Sequence, residues 1–214
     1  MPQLPSRQEL HEALASRQGE ELQAKLEASA VAICGLGGLG SNIAIALARA
    51  GVGKLLLIDF DRVDITNLNR QQYRIDQIGL LKAEALRDNL ATIAPYCNVT
   101  IDTARLTAEN IPGKLAGWPI ICEAFDQAEA KAMLLDTVTE NFPDAWLVSG
   151  VGMAGLASAN LIRTRRLGRR LVLCGDGTSG TENGTALLGA RVLVCAAHEA
   201  TAVIRIIAGN IAEN

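Results

Sequence analysis

Residues 31–42 read Val-Ala-Ile-Cys-Gly-Leu-Gly-Gly-Leu-Gly-Ser-Asn, and this stretch decides the fold. A short apolar run, typical of a buried strand, leads directly into a Gly-x-Gly-x-x-Gly pattern at Gly35, Gly37 and Gly40. An apolar helical segment follows over residues 41–50. A strand, a glycine turn and a helix start in this order bring backbone N–H groups and the positive end of a helix against a phosphate. The stretch therefore predicts a nucleotide-binding unit.

The glycines of this pattern have different expected roles. Gly35 permits a tight turn, and Gly40 lets the helix pack close to the strand. Gly37 and Gly38 carry no Cβ that would block a phosphate, and we expect the closest backbone approach at Gly38. By itself the pattern leaves NAD, FAD and ATP as alternatives.

Aliphatic runs and helical segments alternate along the rest of the chain. Strands are expected at residues 54–58, 98–103, 119–124 and 145–149, and helices at 80–94, 127–141 and 190–207. This alternation predicts an α/β fold, a doubly wound, Rossmann-like and mostly parallel sheet. Residues 161–166 and 170–174 predict antiparallel strands added at the C-terminal end. We expect residues 1–214 to form a single domain, with residues 1–28 as an N-terminal helical segment.

The composition limits the class of protein. Apolar residues make up 49% of the 214 residues and aromatic residues only 3%, so the core must be aliphatic, as in a sheet buried on both faces. The net charge of −3 gives no reason to expect a nucleic-acid partner. Five cysteines without C-x-x-C spacing, two of them in expected buried strands, indicate reduced thiols. With no leader and no apolar run of about 18 residues, we expect a cytoplasmic protein without a membrane partner.

Two carboxylates end the second expected strand. Asp59 lies 24 residues after Gly35, where a carboxylate accepts hydrogen bonds from ribose hydroxyls. Both NAD enzymes and ATP enzymes use such a group, so Asp59 does not discriminate between them. Asp61 is a candidate for contacting a metal or orienting an arginine. The alternative for both is a solvated acid at the surface.

The polar run over residues 66–72, together with Lys82, favours a triphosphate. Asn67, Asn69 and Arg70 lie in this run, and Lys82 lies at the start of the next helical segment. A cationic pair near the glycine loop suits phosphoryl or nucleotidyl transfer, in which negative charge builds on phosphate oxygens. The chain has only two histidines and no Tyr-x-x-x-Lys, which speaks against a dehydrogenase. The alternative is a surface ion pair for Arg70 and a solvated position for Lys82.

Asp126 follows the fourth expected parallel strand, whose end faces the same cleft. Mg²⁺ commonly uses one or two carboxylates together with phosphate oxygens, so Asp126 is the candidate metal ligand. The alternative is that Asp126 caps the helix at residues 127–141. One carboxylate is able to serve both purposes.

These motifs together resemble the ThiF/MoeB family of ubiquitin-activating-enzyme-like adenylyltransferases. The matching parts are the glycine pattern with Ser41 and Asn42, Asp59-Phe-Asp61, Asn67-Leu-Asn69-Arg70-Gln71, Gly79 to Lys82, and Asp126. They occur in the same order and at similar spacing from about residue 31 to residue 127. The short length looks most like the compact ThiF-like sulfur-carrier adenylyltransferases of thiamine biosynthesis.

The resemblance implies a reaction, a site and partners. The protein would bind ATP and Mg²⁺ and adenylylate the C-terminal glycine of a small ThiS-like sulfur carrier ending in Gly-Gly, with release of pyrophosphate. Members are typically homodimers. The family's pair of C-x-x-C motifs is absent here, so no structural zinc is expected. The implied catalytic residues are Arg70, Lys82 and Asp126. The implied nucleotide-binding residues are Gly35, Gly37, Gly38, Gly40, Asp59, Asp61, Asn67, Asn69, Arg70, Lys82 and Gln127.

Other hypotheses remain open at this point. A related enzyme would activate another carboxylate or a modified tRNA base with ATP. An NAD(P)-binding oxidoreductase or a non-catalytic scaffold would use the same fold. Some family members link a cysteine covalently to the carrier, but an ordinary strand-end thiol is the favoured interpretation for Cys174.

Two further features have simpler interpretations. Gly150, Gly152 and Gly155 form a second Gly-x-Gly-x-x-Gly after a strand, but the sequence that follows is strand-like. We therefore expect a loop that borders the cleft near the carrier tail, without a phosphate site. The arginines between residues 163 and 170 form a basic hairpin, for which solvation is favoured over docking of an acidic carrier or RNA.

Overall fold

The protein is described by a computed structural model that covers residues 4–180 and 185–211. The strands are β1 (Ala30–Cys34), β2 (Lys54–Ile58), β3 (Asn98–Asp102), β4 (Ile120–Glu123), β5 (Trp146–Gly150), β6 (Arg163–Leu167) and β7 (Leu171–Gly175). The helices are α1 (Arg7–Gln18), α2 (Glu20–Ala28), α3 (Gly38–Ala50), α4 (Lys82–Ile93), α5 (Ile111–Leu115), α6 (Ala128–Asn141) and α7 (Gly189–Ala208). Short 3₁₀ turns occupy Ile65–Asn67, Ile75–Gln77 and Ala159–Leu161.

The strands form one seven-stranded sheet in the order β3-β2-β1-β4-β5-β7-β6. Neighbouring strands are parallel except for β6, which runs antiparallel to β7 at the edge. The chain builds outward from β1 to β3, returns to place β4 on the other side of β1, and then builds the second half. The predicted fold class, a doubly wound sheet with antiparallel strands at the C-terminal end, is confirmed.

Each face of the sheet has its own hydrophobic core. Successive side chains of a strand point to opposite faces, so Val31 and Ile33 join one core while Ala32 and Cys34 join the other. The first core is covered by α2, α3, α4 and α7, and the second by α5 and α6. The almost continuous aliphatic strands of the sequence follow from this two-sided burial.

The helix bounds agree with expectation except at the glycine loop. Helix α3 begins at Gly38 and not at residue 41, so Gly38 and Gly40 lie inside its first turn. It ends as expected at Gly51, which caps it in the left-handed conformation with φ of 94°. No helix in residues 4–180 and 185–211 is long and apolar enough to cross a membrane.

Candidate nucleotide-binding site

The candidate site lies where the carboxyl ends of β1 and β4 meet. The sheet reverses its direction of growth between these two strands, and ligands bind at such switch points in doubly wound sheets. Ala124, just after β4, donates its N–H to the carbonyl of Cys34 at 2.8 Å, which joins the two strand ends. The glycine loop and the segment that carries Asp126 therefore flank one crevice.

The positions of the glycine loop differ in why they lack a side chain. Gly35 has a φ of +90°, which side chains rarely adopt, and a Cβ on Gly40 would stand 1.8 Å from the carbonyl oxygen of Gly35. A Cβ on Gly38 would meet Val192 of α7 at 2.8 Å, so this glycine is required by helix packing. Gly37 is different, because the nearest atom to a Cβ there is the Gln71 amide nitrogen at 3.7 Å. The open backbone position is thus Gly37, whereas the sequence pointed to Gly38.

The N-terminus of α3 is available to an anion. Its N-cap is Gly37, and no side chain caps it. The first N–H groups of a helix have no partner within the helix and carry the positive end of its dipole. Ser41 and Asn42 donate to the carbonyls of Gly37 and Gly38, both at 2.6 Å, and hold the turn in shape. The sequence predicted this strand, glycine turn and helix start, and a helix N-terminus of this kind favours anions in general.

Asp59 holds the backbone of the glycine loop by a hydrogen bond. Its carboxylate accepts the N–H of Leu36 at 2.7 Å and the N–H of Asp61 at 2.8 Å. Burial raises the pKa of Asp59 above its ordinary value, while the charge of Lys82 and the two N–H groups oppose the shift. A carboxylate oxygen is able to accept a second hydrogen bond, so the position stays compatible with ribose binding.

Asp61 and Lys82 form an ion pair beside Asp59. The Lys82 Nζ lies 3.0 Å from the Asp61 carboxylate, and the lysine is nearly buried while the aspartate is half exposed. The Lys82 N–H also donates to the Asp61 carbonyl at 2.9 Å. The Lys82 ammonium is thereby linked to the glycine loop through Asp61 and Asp59. The surface interpretation of Lys82 is therefore wrong.

The segment after β2 carries Arg70 to the glycine loop. The Arg70 stem would touch a Cβ on Gly38 at 3.4 Å. Its guanidinium donates to the Thr66 carbonyl at 3.0 Å and to the Asn69 side-chain oxygen at 2.8 Å. Within the described ranges it has no carboxylate partner, so the surface ion pair considered for Arg70 does not form there. The stem of Arg70 thus packs against the first turn of α3, while its guanidinium is held by Thr66 and Asn69.

The two asparagines of this segment hold its shape. Asn67 accepts the N–H of Asp64 at 3.1 Å and completes a capping box around a 3₁₀ turn. Asn69 donates to the carbonyl of Leu187 at 3.1 Å, which ties the segment to the start of α7. The Asn69 side chain contacts Arg70, and the contact of both asparagines with a nucleotide stays a prediction.

Asp126 and Gln127 lie at the open rim of the crevice. Asp126 is exposed and, within the part of the chain that the structure describes, forms no ion pair or hydrogen bond. The N-cap of α6 is Gln127, without a side-chain cap, so the capping role considered for Asp126 is wrong. A carboxylate free of protein partners is a suitable ligand for Mg²⁺ bound to phosphates. The donor set therefore fits Mg²⁺, which would shield the phosphate charge.

A buried network that the sequence does not reveal fixes the position of this rim. Glu123 is fully buried and accepts the N–H of Phe125 at 2.7 Å and the hydroxyl of Ser149 at 2.5 Å. Lys131 pairs with the same carboxylate and donates to the Gly150 carbonyl at 2.8 Å. This network anchors the backbone next to Asp126. A single strand-end Glu carries no sequence signal for it.

The thiols have no catalytic environment. Cys174 is fully buried, and burial with the nearby Glu199 raises its pKa to about 12, which disfavours the reactive thiolate. The favoured interpretation of Cys174 as an ordinary thiol agrees with this burial. Among the described residues no three His, Cys, Asp or Glu side chains come together as a metal site, and the lack of structural zinc stays a prediction.

Comparison with protein families gives one match over nearly the whole chain. The model of the ThiF family matches residues 10–214. This range includes all but the first turn of α1, every later element and all the candidate site residues.

Curated relatives match smaller parts of the chain. The tRNA threonylcarbamoyladenosine dehydratase of Escherichia coli (strain K12) is 38% identical over 107 residues, which are 49% of this chain and 40% of the relative. The adenylyltransferase and sulfurtransferase MOCS3 of Drosophila grimshawi is 37% identical over 53% of this chain and 26% of its own length. Ubiquitin-like modifier-activating enzyme 5 of Caenorhabditis elegans is 41% identical over 39% and 20%. The chain spans less than half the length of these relatives.

Solved structures share the fold. The crystal structure of E. coli tRNA N6-threonylcarbamoyladenosine dehydratase, TcdA, in complex with AMP has a TM-score of 0.85 at 22% identity and covers 97% of this chain and 98% of that one. E. coli MccB with ATP has a TM-score of 0.68 at 21% identity, over 90% of this chain and 59% of that one. At these identities the likeness establishes the fold alone.

Proposed function

Because the chain belongs to the ThiF family, we propose that it uses ATP to adenylylate a carboxylate and releases pyrophosphate. The observation that carries the proposal is the uncapped N-terminus of α3, against whose first turn the stem of Arg70 packs. Arg70 and Lys82 would together supply positive charge to a triphosphate that lies against the glycine loop. The family assignment also favours ATP over the nicotinamide cofactor of an oxidoreductase.

The proposed reaction assigns a role to each of these residues. The acceptor carboxylate attacks the α-phosphorus, the bond to the pyrophosphate oxygen breaks, and an acyl-adenylate forms. Arg70 and Lys82 neutralise the negative charge that builds on the phosphate oxygens, and Asp59 binds the ribose. Mg²⁺, held by Asp126, would add charge compensation on the phosphates when bound. Gln127 would border the nucleotide at the same rim.

The relatives favour a modified tRNA nucleoside as acceptor over the thiamine sulfur carrier. TcdA is a dehydratase of a threonylcarbamoyl nucleoside, which carries a carboxylate. After adenylylation, an atom of the carbamoyl group attacks the activated carbonyl carbon, and the bond from that carbon to the AMP oxygen breaks. AMP leaves with one carboxylate oxygen and the carbamoyl group loses a proton, so the nucleoside has lost the elements of water. The β6–β7 hairpin supports this acceptor, because Arg163, Arg165 and Arg169 are exposed and available to RNA phosphates. Arg166, by contrast, packs over the Trp146 ring.

A sulfur carrier is the second candidate acceptor. MOCS3 and modifier-activating enzyme 5 are relatives by sequence, and their names refer to adenylyl transfer and to ubiquitin-like modifiers. A ThiS-like carrier ending in Gly-Gly would present its terminal carboxylate to the same α-phosphate. The role in thiamine biosynthesis and the homodimer stay predictions.

ATP–pyrophosphate exchange tests the acceptor directly. We expect exchange with native tRNA that carries threonylcarbamoyladenosine and none with an unmodified transcript, because the transcript lacks the carboxylate. Exchange with a Gly-Gly carrier alone would support the second candidate. Absence of exchange with every acceptor, while ATP still binds, would contradict adenylylation and favour a non-catalytic scaffold.

Variants test the site within the same assay. Arg70→Ala and Asp126→Ala should each lower kcat by about 100-fold or more, since each removes charge compensation from the transferring phosphate. Asp126 is exposed, so its variant should keep the wild-type melting temperature. Asp136→Ala, which changes an exposed aspartate of α6, is the matched control and should keep full activity. Wild-type exchange rates in either site variant would refute the site.

A further inference from the structure

Tyr73 reaches from the segment after β2 to the backbone of the glycine loop. The residue is 8% exposed and belongs to the first hydrophobic core, and its hydroxyl donates to the Leu36 carbonyl at 2.7 Å. Burial, together with the charges of Asp59 and Asp61, raises the pKa of Tyr73, so the phenol keeps its proton and acts as the donor. A buried tyrosine hydroxyl needs a partner, and here that partner belongs to the glycine loop.

The backbone of Leu36 is held by two side chains. Its N–H donates to the Asp59 carboxylate at 2.7 Å, and its carbonyl accepts the Tyr73 hydroxyl. Within the described ranges no backbone N–H donates to this carbonyl. Buried carbonyls are almost always paired, because an unpaired one loses its hydrogen bonds to water without replacement. The direction of the Leu36 carbonyl therefore depends on Tyr73.

The Leu36 carbonyl in turn fixes the N–H of Gly37, because both groups belong to one peptide unit. This unit is planar and trans, so its carbonyl and its N–H point in opposite directions. Since Tyr73 holds the carbonyl inward, the Gly37 N–H points away from the core. In the part of the chain that the structure describes, this N–H has no backbone acceptor, and the space beside Gly37 is open. It is therefore available to an anion at the N-terminus of α3.

Tyr73 itself is fixed by hydrogen bonds of the residues before and after it. The carbonyl of Gln72 accepts the Asn89 amide at 2.9 Å. The N–H of Arg74 donates to the Gln77 side chain at 3.0 Å. The peptide that Tyr73 holds is less restricted, because a glycine follows the carbonyl and offers little steric resistance to rotation. A fixed donor thus orients a peptide that is otherwise able to turn.

We propose that Tyr73 is a positioning residue, whose hydroxyl holds the Leu36 carbonyl inward and so keeps the Gly37 N–H directed at a nucleotide phosphate. The proposal rests on the ATP site of the proposed function and assigns to Tyr73 no contact with the nucleotide. Its effect is preorganisation, since a donor that already points at the phosphate needs no reorientation when ATP binds. Without the hydroxyl the carbonyl is unpaired and the peptide turns, so that ATP binding has to restore its orientation.

Ligand titrations of Tyr73→Phe test this role, because the variant removes the hydroxyl and keeps the ring. We expect the affinities for ATP and for inorganic triphosphate each to fall by about fivefold or more, since the phosphate loses a prepositioned donor. The affinity for adenosine should change by less than about twofold. Tyr96→Phe is the matched control, because the Tyr96 hydroxyl also donates to a backbone carbonyl, that of Pro5 at 2.7 Å. This control should keep the wild-type affinity for ATP.

The amide resonance of Gly37 gives a readout that a merely structural role of Tyr73 would not change. In the wild type, inorganic triphosphate should move this resonance downfield, because the N–H then donates to a phosphate oxygen. In Tyr73→Phe the shift should be smaller. The Gly53 amide, which donates to the Leu26 carbonyl at 3.0 Å, should stay unchanged in both proteins.

Equal ATP affinities of the wild type and Tyr73→Phe would overturn the proposal and leave the proposed function standing. Equal losses for ATP and adenosine would also overturn it, because they would indicate a general change of the pocket. A wild type that binds ATP without a response of the Gly37 amide would overturn it as well, whether or not Tyr73→Phe folds. A wild type that binds no ATP would overturn both.

Discussion

The chain contains the same glycine pattern twice, each time after a parallel strand and at the same edge of the sheet. The first copy follows β1 and begins at Gly35, and the second begins at Gly150, the last residue of β5. In the first, the pattern leads into α3. In the second, it leads into irregular chain and the edge strand β6. Only the first therefore has a helix N-terminus to offer to a phosphate.

In the second copy, other residues of the protein occupy the space that a side chain on its glycines would need. A Cβ on Gly152 would stand 2.2 Å from the Asp176 carboxylate, and one on Gly155 would stand 3.0 Å from Thr185. Its backbone is also in use, since the N–H of Gly155 donates to the carbonyl of Ala186 at 2.9 Å. At Gly37 of the first copy, by contrast, the space beyond the backbone is open. The spacing of glycines indicates close packing, and a following helix is what indicates a phosphate.

The largest effect is expected from Gly40→Ala in the first copy. The new Cβ would stand 1.8 Å from the Gly35 carbonyl, so the turn between β1 and α3 would have to open. We expect a loss of about 4 kcal/mol or more in the free energy of unfolding, measured by urea denaturation. A folded variant with wild-type stability would show that the turn is far less tightly packed than described.

Gly37→Ala is the matched control for Gly40→Ala within the same loop. It has room for a Cβ, so the free energy of unfolding should change by less than about 1 kcal/mol. The methyl group would project into the proposed phosphate site, and the ATP affinity should therefore fall by about tenfold. Retained ATP affinity would contradict the placement of the phosphate at Gly37.

Asp176→Ala should destabilise the fold at the second glycine pattern. Asp176 pairs with Arg191 of α7 at 2.5 Å and accepts the N–H groups of Thr178 and Ser179, each at 2.8 Å. Both members of the pair are buried, so removal of the carboxylate leaves a buried guanidinium without its counter-ion and should cost about 3 kcal/mol. ATP affinity should change little, because this loop holds no phosphate.

The pH dependence provides an independent check on Asp176. Burial alone would raise its pKa, but hydrogen bonds from Ser179, Thr178 and Arg191 outweigh burial and hold the pKa well below its usual range. The carboxylate therefore stabilises the fold above the unfolded pKa of about 4, and this contribution is lost as the pH falls. The stability difference between the wild type and Asp176→Ala should shrink below about pH 4. A constant difference would argue against the ion pair as its source.

Local patterns were sufficient for the sheet and for the first glycine loop. Alternating aliphatic runs predicted the parallel strands, and the loop-to-helix transition predicted the switch-point crevice. The start of α3 was placed at residue 41, because glycine disfavours helices and the pattern hides the first turn. Tertiary contacts override that preference here, since Gly38 must face Val192.

What the sequence could not predict depends on pairs of residues distant along the chain. Val192 of α7 packs against Gly38 and leaves no room for a Cβ there, whereas the space at Gly37 is open. The ion pair of Arg191 with Asp176 likewise joins a helix and a loop that no local pattern connects. Motifs of the sequence were sufficient to name candidate site residues, but the groups that hold these residues in place carry no local signal.

The smallest change in stability, and one that is a gain, is expected beside Gly150 of the second glycine pattern. Glu199 of α7 is fully buried, and its Oε1 lies 2.7 Å from the place of a Cβ on Gly150. Burial, together with the charge of Glu123, raises its pKa well above the ordinary value. The neutral acid is therefore favoured, and wild-type stability falls as the pH rises above the unfolded value of about 4.3.

Glu199→Gln keeps the shape of the neutral acid without a group to ionise. At pH 7 the free energy of unfolding of the variant should exceed that of the wild type by about 1 kcal/mol. Between about pH 5 and 8 the wild-type stability should decline, whereas that of the variant should stay constant. The measurement is urea denaturation across that range, with the exposed Glu140→Gln of α6 as a control whose profile follows the wild type. A destabilised Glu199→Gln at neutral pH would mean that the ionised carboxylate is paired. The second loop would then hold a charge that the described contacts do not contain.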